Sequence, residues 1–138
     1  MKKILVLAAA IALVSSTAFA AGTATLNVTA NVTATCSITG GTLGFGALDP
    51  VVGGNVPATI DVTVTCTNLT PFTVTNDSAG KTLGNGTSTI PYTLTHAGGG
   101  VGTGSAEPFT IDGLITDGTY TNATAGAYTS SVLLTVNL

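Results

Sequence analysis

The chain has no tryptophan and few aromatic residues of any kind, and charged residues fill only 7% of its 138 positions. Ordinary globular domains are about 25% charged. A sequence this poor in Lys and Arg cannot supply the clustered positive charge that binds phosphate, so we expect no nucleic-acid partner. Thr, Ser, Asn and Gly take the positions that charges normally occupy. Such a surface suits a protein covered by partners, and the alternative is a free secreted β-domain with a neutral surface.

Histidine and cysteine are scarce as well: His96 is the only histidine, and Cys36 and Cys66 are the only cysteines. Two thiolates and one distant imidazole cannot complete a four-ligand zinc site, and no Ser/His/Asp or Cys/His arrangement is easily assembled. Asp112 and Asp117 remain as a candidate carboxylate pair or a weak calcium site, but turn chemistry accounts for both. We therefore predict no enzyme activity, no cofactor and no metal.

Long apolar runs are missing except near the start of the chain. Two lysines precede an apolar run over residues 4–14, and Ala18-Phe19-Ala20 follows in the small-x-small pattern that signal peptidases cleave. The run is too short to cross a bilayer of ~30 Å as a helix. We predict a secretory signal peptide over residues 1–20, export of the remainder and no membrane insertion.

Residues 21–138 have the usual size of a single domain. They keep one lysine, Lys81, against six acidic residues, which gives a formal net charge of −5. Export places Cys36 and Cys66 in an oxidising compartment, so a disulfide between them is predicted. It would close a loop of about 31 residues and stabilise the fold by roughly 3–4 kcal/mol.

One segment, residues 23–39, alternates apolar and polar side chains without a break. Its odd positions are all Thr, Asn or Ser, and its even positions are Ala24, Leu26, Val28, Ala30, Val32, Ala34, Cys36 and Ile38. A period of two over this length predicts a strand with one buried and one wet face.

The same pattern predicts further strands over residues 59–66, 72–74, 89–95, 108–112 and 127–138, where Tyr128, Val132, Leu134, Val136 and Leu138 share a face. Glycine-rich turns separate them, among them Asp112-Gly113. The run 98–104 lacks the Lys-Ser/Thr ending of a phosphate-binding loop and is interpreted as a flexible hairpin or loop. No helical period is found, so the fold class is all-β, an immunoglobulin-like β-sandwich of about six strands.

The length of the first strand is the main functional clue. Seventeen residues extend about 55 Å, whereas a domain of this size is about 35 Å across. Residues 33–39 can join the local sandwich, but no part of the same domain remains to bury the apolar face of residues 21–32. We expect it to insert into a groove on another subunit, because six strands are one fewer than the immunoglobulin fold requires. The alternative is an edge strand folded back on its own domain.

The chain also resembles the spore coat protein U domain family over essentially all of residues 21–138. The residues that carry the resemblance are Cys36, Leu43-Gly-Phe45-Gly46, Asp49-Pro50, the run from Ile60 to Cys66, Pro91-Tyr92-Thr-Leu94 and the ending from Gly126 to Leu138. One departure is that Ser130-Ser131 stand near the position where the family usually has an Asp.

This family supplies pilin subunits of archaic chaperone–usher pili. The resemblance implies an incomplete immunoglobulin-like domain over residues 33–138, completed by a donor strand from a neighbouring subunit. It also implies a periplasmic chaperone, an outer-membrane usher and a homopolymeric fibre outside the cell. The donor side chains would be Leu26, Val28, Ala30 and Val32, and the strand with Val132, Leu134, Val136 and Leu138 would border the acceptor groove and contact the chaperone.

The function expected is therefore a structural one, a major pilin used in surface attachment or biofilm formation. The alternative is a minor or tip adhesin, or a secreted carbohydrate-binding β-sandwich module. An adhesin would need a further receptor-binding domain, for which residues 21–138 leave no room, and exposed aromatic residues for sugar stacking are few. A spore-coat or matrix component is suggested only by the family name.

Overall fold

The structure is a computed structural model that describes residues 21–77 and 81–138; the predicted signal peptide, residues 1–20, lies outside them. Every regular element in these ranges is a β-strand, which confirms the all-β class. The strands are β1 (Cys36–Thr39), β2 (Val56–Cys66), β3 (Pro71–Asn76), β4 (Thr82–Gly84), β5 (Thr89–Pro91), β6 (Thr93–His96), β7 (Gly99–Val101), β8 (Ala106–Ile115) and β9 (Leu134–Asn137). The described residues thus hold nine strands rather than about six, because β4, β5 and β7 have three residues each, too few to show a period.

The larger sheet has four antiparallel strands in the order β1-β2-β8-β6. Its centre is the long pair β2 and β8, which are matched over ten residues. Along β2, Val62 and Val64 are buried while Asp61 and Thr63 are exposed. The alternation predicted for residues 59–66 is therefore confirmed, and it sets which face of the sheet meets the core.

A second sheet, also antiparallel, has the order β7-β3-β9, and β4 and β5 form a separate pair. Val74 of β3 packs in one cluster with Val64 and Phe109 of the larger sheet. A neighbouring cluster is built around Ile90 and Ile115. Because buried side chains from both sheets meet in one core, the domain is a β-sandwich, as predicted.

The disulfide between Cys36 and Cys66 is present. The two cysteines are directly opposite each other where β1 pairs with β2. Cys66 is buried and its partner is half-buried, so the bridge lies on the core face. The predicted disulfide is confirmed.

The single strand predicted over residues 23–39 is present in this one-chain structure only as β1. Cys36 is opposite Cys66, the last residue of β2, so the run before Cys36 continues past the end of its partner. The described chain divides into separate units after Asn31. Taken by itself, the segment 21–31 has no regular secondary structure, and its side chains are exposed.

Several predicted boundaries are wrong. Asp112-Gly113 is not a turn but lies inside β8, opposite Thr59 and Ala58. The run 98–104 contains β7, which pairs with β3 and is more than a flexible loop.

Two other predicted strands are interrupted. The strand over 89–95 is broken at Tyr92 into β5 and β6, which belong to different sheets. Of residues 127–138, only β9 and an isolated bridge from Thr129 to Gly84 are paired. Each difference is set by long-range pairing, which local periodicity does not report.

Candidate functional site: a groove between the two sheets

Two edge strands, one from each sheet, lie next to each other in the described residues. In residues 21–77 and 81–138, β1 pairs with β2 alone and β9 pairs with β3 alone. A strand with one free side presents unpaired N–H and C=O groups to whatever comes next to it. A further strand can therefore pair with either edge, but a strand between β1 and β9 requires the two to move apart, because some of their Cα atoms are within 8 Å of each other.

An apolar cavity of about 220 Å³ lies between the sheets. The four-stranded sheet contributes Ile60, Val62 and Ile111, and the segment leading into β9 contributes Val132, with Leu134 from β9 itself. Leu43 and Phe45, from the connection between β1 and β2, form another wall. Aliphatic side chains from both inner faces thus meet in a space that the described chain does not fill.

A second, wider cavity of about 760 Å³ adjoins the first. Leu43, Phe45 and Leu83 line both, so the two spaces form one groove. The second cavity also contains Leu48 and the segment from Tyr120 to Tyr128. We refer to the two cavities together as the groove.

A hydrogen-bond network of side chains lies at the far end of the groove. The Tyr128 hydroxyl is hydrogen-bonded to the Ser88 hydroxyl, and it donates to the carbonyl oxygen of Thr124 at 2.9 Å. Asn85 donates from Nδ2 to the Thr124 hydroxyl at 2.9 Å. The neighbouring hydroxyls, that of Ser88 first, lower the pKa of Tyr128 from its ordinary value. This network fixes the wall of the groove where regular strand pairing is limited to one bridge.

The predicted acceptor residues do not all lie in the groove. Val132 and Leu134 line it, and Val136 is half-buried against the main core cluster. Leu138 is exposed and lines neither cavity. The structure therefore brings three of the four residues to the groove or the core beside it.

The predicted donor residues are exposed. Relative exposure is 84% for Leu26 and 81% for both Val28 and Val32, and Ala30 is exposed too. Large aliphatic side chains with this exposure, repeated at every second position, form an uncovered apolar stripe. Contiguous apolar surface of this kind marks interaction sites in soluble proteins.

Sequence reasoning missed the wall formed by Leu43 and Phe45, which it noted only as part of a family motif. A Cβ built on Gly113 would lie 2.6 Å from Leu43 Cδ2 and 2.9 Å from Phe45 Cζ, so the glycine leaves the space that both side chains use. The Phe45 ring also packs against Tyr92, with centroids 5.8 Å apart. The available signal was the spacing of two apolar residues between glycines, which resembles a short inward-facing strand.

Tyr92 reaches across the groove, and its hydroxyl donates to Ser130 Oγ at 3.1 Å. Tyr92 is buried, whereas Ser130 is exposed and precedes the groove residue Val132. Ser130, near the position where the family usually has an Asp, thus has a structural partner. This contact ties the segment before β9 to the opposite wall.

The groups considered for chemistry have structural contacts instead. His96 accepts from the Gly98 N–H at Nδ1, and its ring packs on Phe109. Asp112 accepts from the Thr59 hydroxyl at 2.8 Å, and Asp117 accepts from the Gly54 N–H at 2.7 Å. Within the described ranges, no group of three His, Cys, Asp or Glu side chains is arranged to hold a metal ion. That part of the chain also has no helix long and apolar enough to cross a membrane.

The features together define a class: a disulfide-linked β-sandwich with a free edge on each sheet and an apolar groove between the sheets. The family model of the Spore Coat Protein U domain matches residues 22–135. The chain belongs to the Spore Coat Protein U domain family, and the predicted resemblance is confirmed.

Comparison with individual proteins adds little. No curated protein matches the chain. Among solved structures, the chain is similar to one from a study of a chaperone–usher pilus and its rod uncoiling. The two are 16% identical, the match covers 86% of this chain and 96% of that chain, and the TM-score is 0.49. A likeness of this size carries no argument about function.

Proposed function

We propose that the chain is a structural subunit, a major pilin, of an extracellular chaperone–usher pilus that polymerises by donor-strand exchange. The proposal rests on two features of this one chain, which belongs to the Spore Coat Protein U domain family. The first is an apolar groove. The second is an exposed apolar stripe formed by Leu26, Val28, Ala30 and Val32. Each feature is costly alone in water, and each can cover the other in a second copy.

The dimensions of the two parts agree. Residues 21–32 extend about 40 Å at ~3.3 Å per residue. The longest strand, β2, has 11 residues and defines the length of the sandwich. A donor strand of this length can therefore follow the groove from one end of the domain to the other. Its alternate side chains would enter the core, and its polar Thr and Asn side chains would remain in water.

The donor strand can be antiparallel to only one of the two free edges, because β1 runs away from the end at which β2 finishes and β9 runs toward it. All strand pairs in the described domain are antiparallel, and antiparallel pairing is slightly more stable per residue than parallel pairing. In the proposal the donor strand lies between β9 and β1, antiparallel to β9 and parallel to β1. The main-chain hydrogen bonds supply affinity, and Leu134 and Val132 contact the inserted side chains.

Delivery completes the proposal. The signal peptide over residues 1–20 would direct export and would be cleaved after Ala20. A periplasmic chaperone would cover the groove before assembly, and an outer-membrane usher would pass the subunits outward. Use of the fibre in surface attachment or biofilm formation would follow from its position outside the cell.

The test compares two substitutions on opposite faces of the donor segment. Val28→Asp places a charge on the apolar stripe, and Thr29→Asp places the same charge on the polar face of the next residue. We expect electron microscopy to show fibres from Thr29→Asp and none from Val28→Asp, because an unpaired carboxylate is costly in an apolar groove. Fibres of equal yield from both variants would refute the donor role of this segment, as would normal fibres after deletion of residues 21–32.

A further inference from the structure

Two exposed apolar tips lie at opposite ends of the domain. The first is formed by Val51 and Val52, which are 94% and 80% exposed, and the second by Leu69 and Val101, at 78% and 55%. We call them the valine tip and the leucine tip. The valine tip precedes the first residue of β2 and the leucine tip follows the last, so the length of that strand, about 35 Å, lies between them.

The valine tip is held rigid by a carboxylate. Asp49 Oδ1 accepts from the N–H groups of Val51 and Val52, at 2.9 and 3.1 Å, and the Asp49 carbonyl accepts from Gly53 at 3.0 Å. Gly54 is in turn fixed to Asp117 and accepts from the Tyr120 hydroxyl at 2.8 Å. An ordered turn presents the two valines at almost full exposure, so contact with a partner costs little conformational entropy.

The leucine tip is ordered at a cost in backbone energy. Leu69 has a φ of 60° and is the one non-glycine residue with positive φ in the described part of the chain. The left-handed conformation costs an L-residue roughly 1–2 kcal/mol. The Leu69 N–H donates to the Gly102 carbonyl at 2.7 Å, and the Gly102 N–H donates to Thr70 at 2.8 Å, which brings Leu69 beside the strand that ends in Val101. Residues with a strained backbone cluster at functional sites.

The leucine tip is also the end from which the N-terminal segment leaves the sandwich. Thr67, two residues before Leu69, donates to the Thr35 carbonyl at 2.9 Å, and its hydroxyl accepts from the Thr35 N–H at 3.0 Å. The chain before residue 33 therefore departs next to this tip. A neighbour that receives residues 21–32 must lie close to it.

The strand directions determine which end of the neighbour is near. β9 runs from Leu134, opposite Asn76, to Asn137, opposite Thr73, and so points toward the end where β3 begins, the leucine tip. A donor strand antiparallel to β9 points the other way and leaves the acceptor groove at the valine tip. Only about three residues then separate it from the sandwich of its own subunit.

We infer that the valine tip of each subunit packs against the leucine tip of the next copy, so that successive subunits of the fibre share a direct apolar contact beside the donor strand. The inference rests on the proposed function and identifies a second part of the same interface. Because the two tips differ, the contact is head to tail, the type of contact that builds an open fibre when the rotation between subunits does not close a ring. Burial of four exposed aliphatic side chains would stiffen the junction between subunits.

The test is a disulfide between tips in assembled fibres of the full chain. The double variant Val51→Cys with Leu69→Cys is assembled, oxidised and boiled in detergent without reductant. We expect a ladder of covalent oligomers that collapses to monomer when reductant is added. The matched control, Val51→Cys with Thr110→Cys, has its second cysteine on the exposed face in the middle of β8 and should give no ladder.

The outcomes separate this inference from the proposed function. Fibres that contain only monomer after boiling would overturn the contact between tips and leave the donor strand intact. Links in fibres of Leu69→Cys alone would overturn it too, since they would join two like tips. If the unmodified chain forms no fibre, the proposed function fails and the contact fails with it.

A second variant tests the contact without new cysteines. Asn tolerates positive φ better than Leu, so Leu69→Asn should keep or raise the melting temperature of the chain. The same variant should lose the apolar contact and give fibres with a shorter persistence length in electron micrographs. A lower melting temperature with unchanged fibre stiffness would show that Leu69 has only a structural role.

Discussion

The phenol of Tyr92 donates a hydrogen bond to Ser130 Oγ at 3.1 Å and so joins the two walls of the groove. One partner is buried and the other is exposed, which makes the bond asymmetric. Loss of the serine would leave a buried hydroxyl without this acceptor. Loss of the phenol would leave a serine that water can still reach.

The first prediction follows from this asymmetry. Ser130→Ala should lower the free energy of unfolding by about 1–3 kcal/mol, and Tyr92→Phe by about 0.5–1.5 kcal/mol. Ser131→Ala is the control, because Ser131 is exposed, and it should remain within about 0.5 kcal/mol of the unmodified chain. Urea denaturation measures all three. A larger loss from the Tyr92 variant than from the Ser130 variant would contradict the asymmetry.

The second prediction concerns Gly113, whose missing side chain leaves room for Leu43 and Phe45. Gly113→Ala forces both side chains to move and should cost about 1–3 kcal/mol. The control is Gly44→Ala, where an added Cβ meets nothing within 4 Å. Equal stability of the two variants in denaturation curves would show that Leu43 and Phe45 do not depend on this space.

The disulfide gives the third prediction. Replacement of both Cys36 and Cys66 by alanine releases a loop closed across 30 positions and should cost roughly 3–4 kcal/mol. The same fall in the urea midpoint should appear when the unmodified chain is unfolded in the presence of reductant. Unchanged urea midpoints in both experiments would show that the disulfide does not stabilise the fold.

The fourth prediction concerns export. The first residue of the secreted chain should be Ala21, because the small-x-small pattern ends at Ala20. Intact-mass measurement of the protein from the periplasm or from fibres identifies this residue. A Phe19→Asp and Ala20→Pro double variant, with the cleavage site disrupted, should retain the signal peptide and remain unassembled. A fibre built from chains that begin at Met1 would contradict the assigned processing.

Local pattern was enough to predict the central features of the fold. The alternation in residues 59–66 predicted the inner face of β2, and two cysteines in a chain predicted to be exported indicated their bridge. The first prediction depends on side-chain periodicity and the second on the redox compartment, and a sequence carries direct signals of both. Periodicity predicted only that Val132 and Leu134 share an apolar face, and their place beside a groove was implied by the family resemblance.

The errors have a common cause in long-range contacts. Asp112-Gly113 has the composition of a turn, yet it lies in β8 because the hydroxyl of Thr59 satisfies the aspartate and the glycine makes space for Leu43 and Phe45. The predicted strand divides at Tyr92 because Pro91 pairs with Thr82 of β4, whereas Thr93 pairs with Leu114 of β8 in another sheet. Tertiary contacts of this kind override local preference and leave little trace in a single sequence.

The central claim is that residues 21–32 of one copy complete the sandwich of the next, and a cryo-electron microscopy reconstruction of the fibre at side-chain resolution tests it most directly. The account predicts continuous density for this segment between β9 and β1 of the neighbour, antiparallel to β9, with Leu26, Val28, Ala30 and Val32 facing its core. Density for the same segment folded back along its own domain, or fibres in which the groove is empty, would contradict the claim.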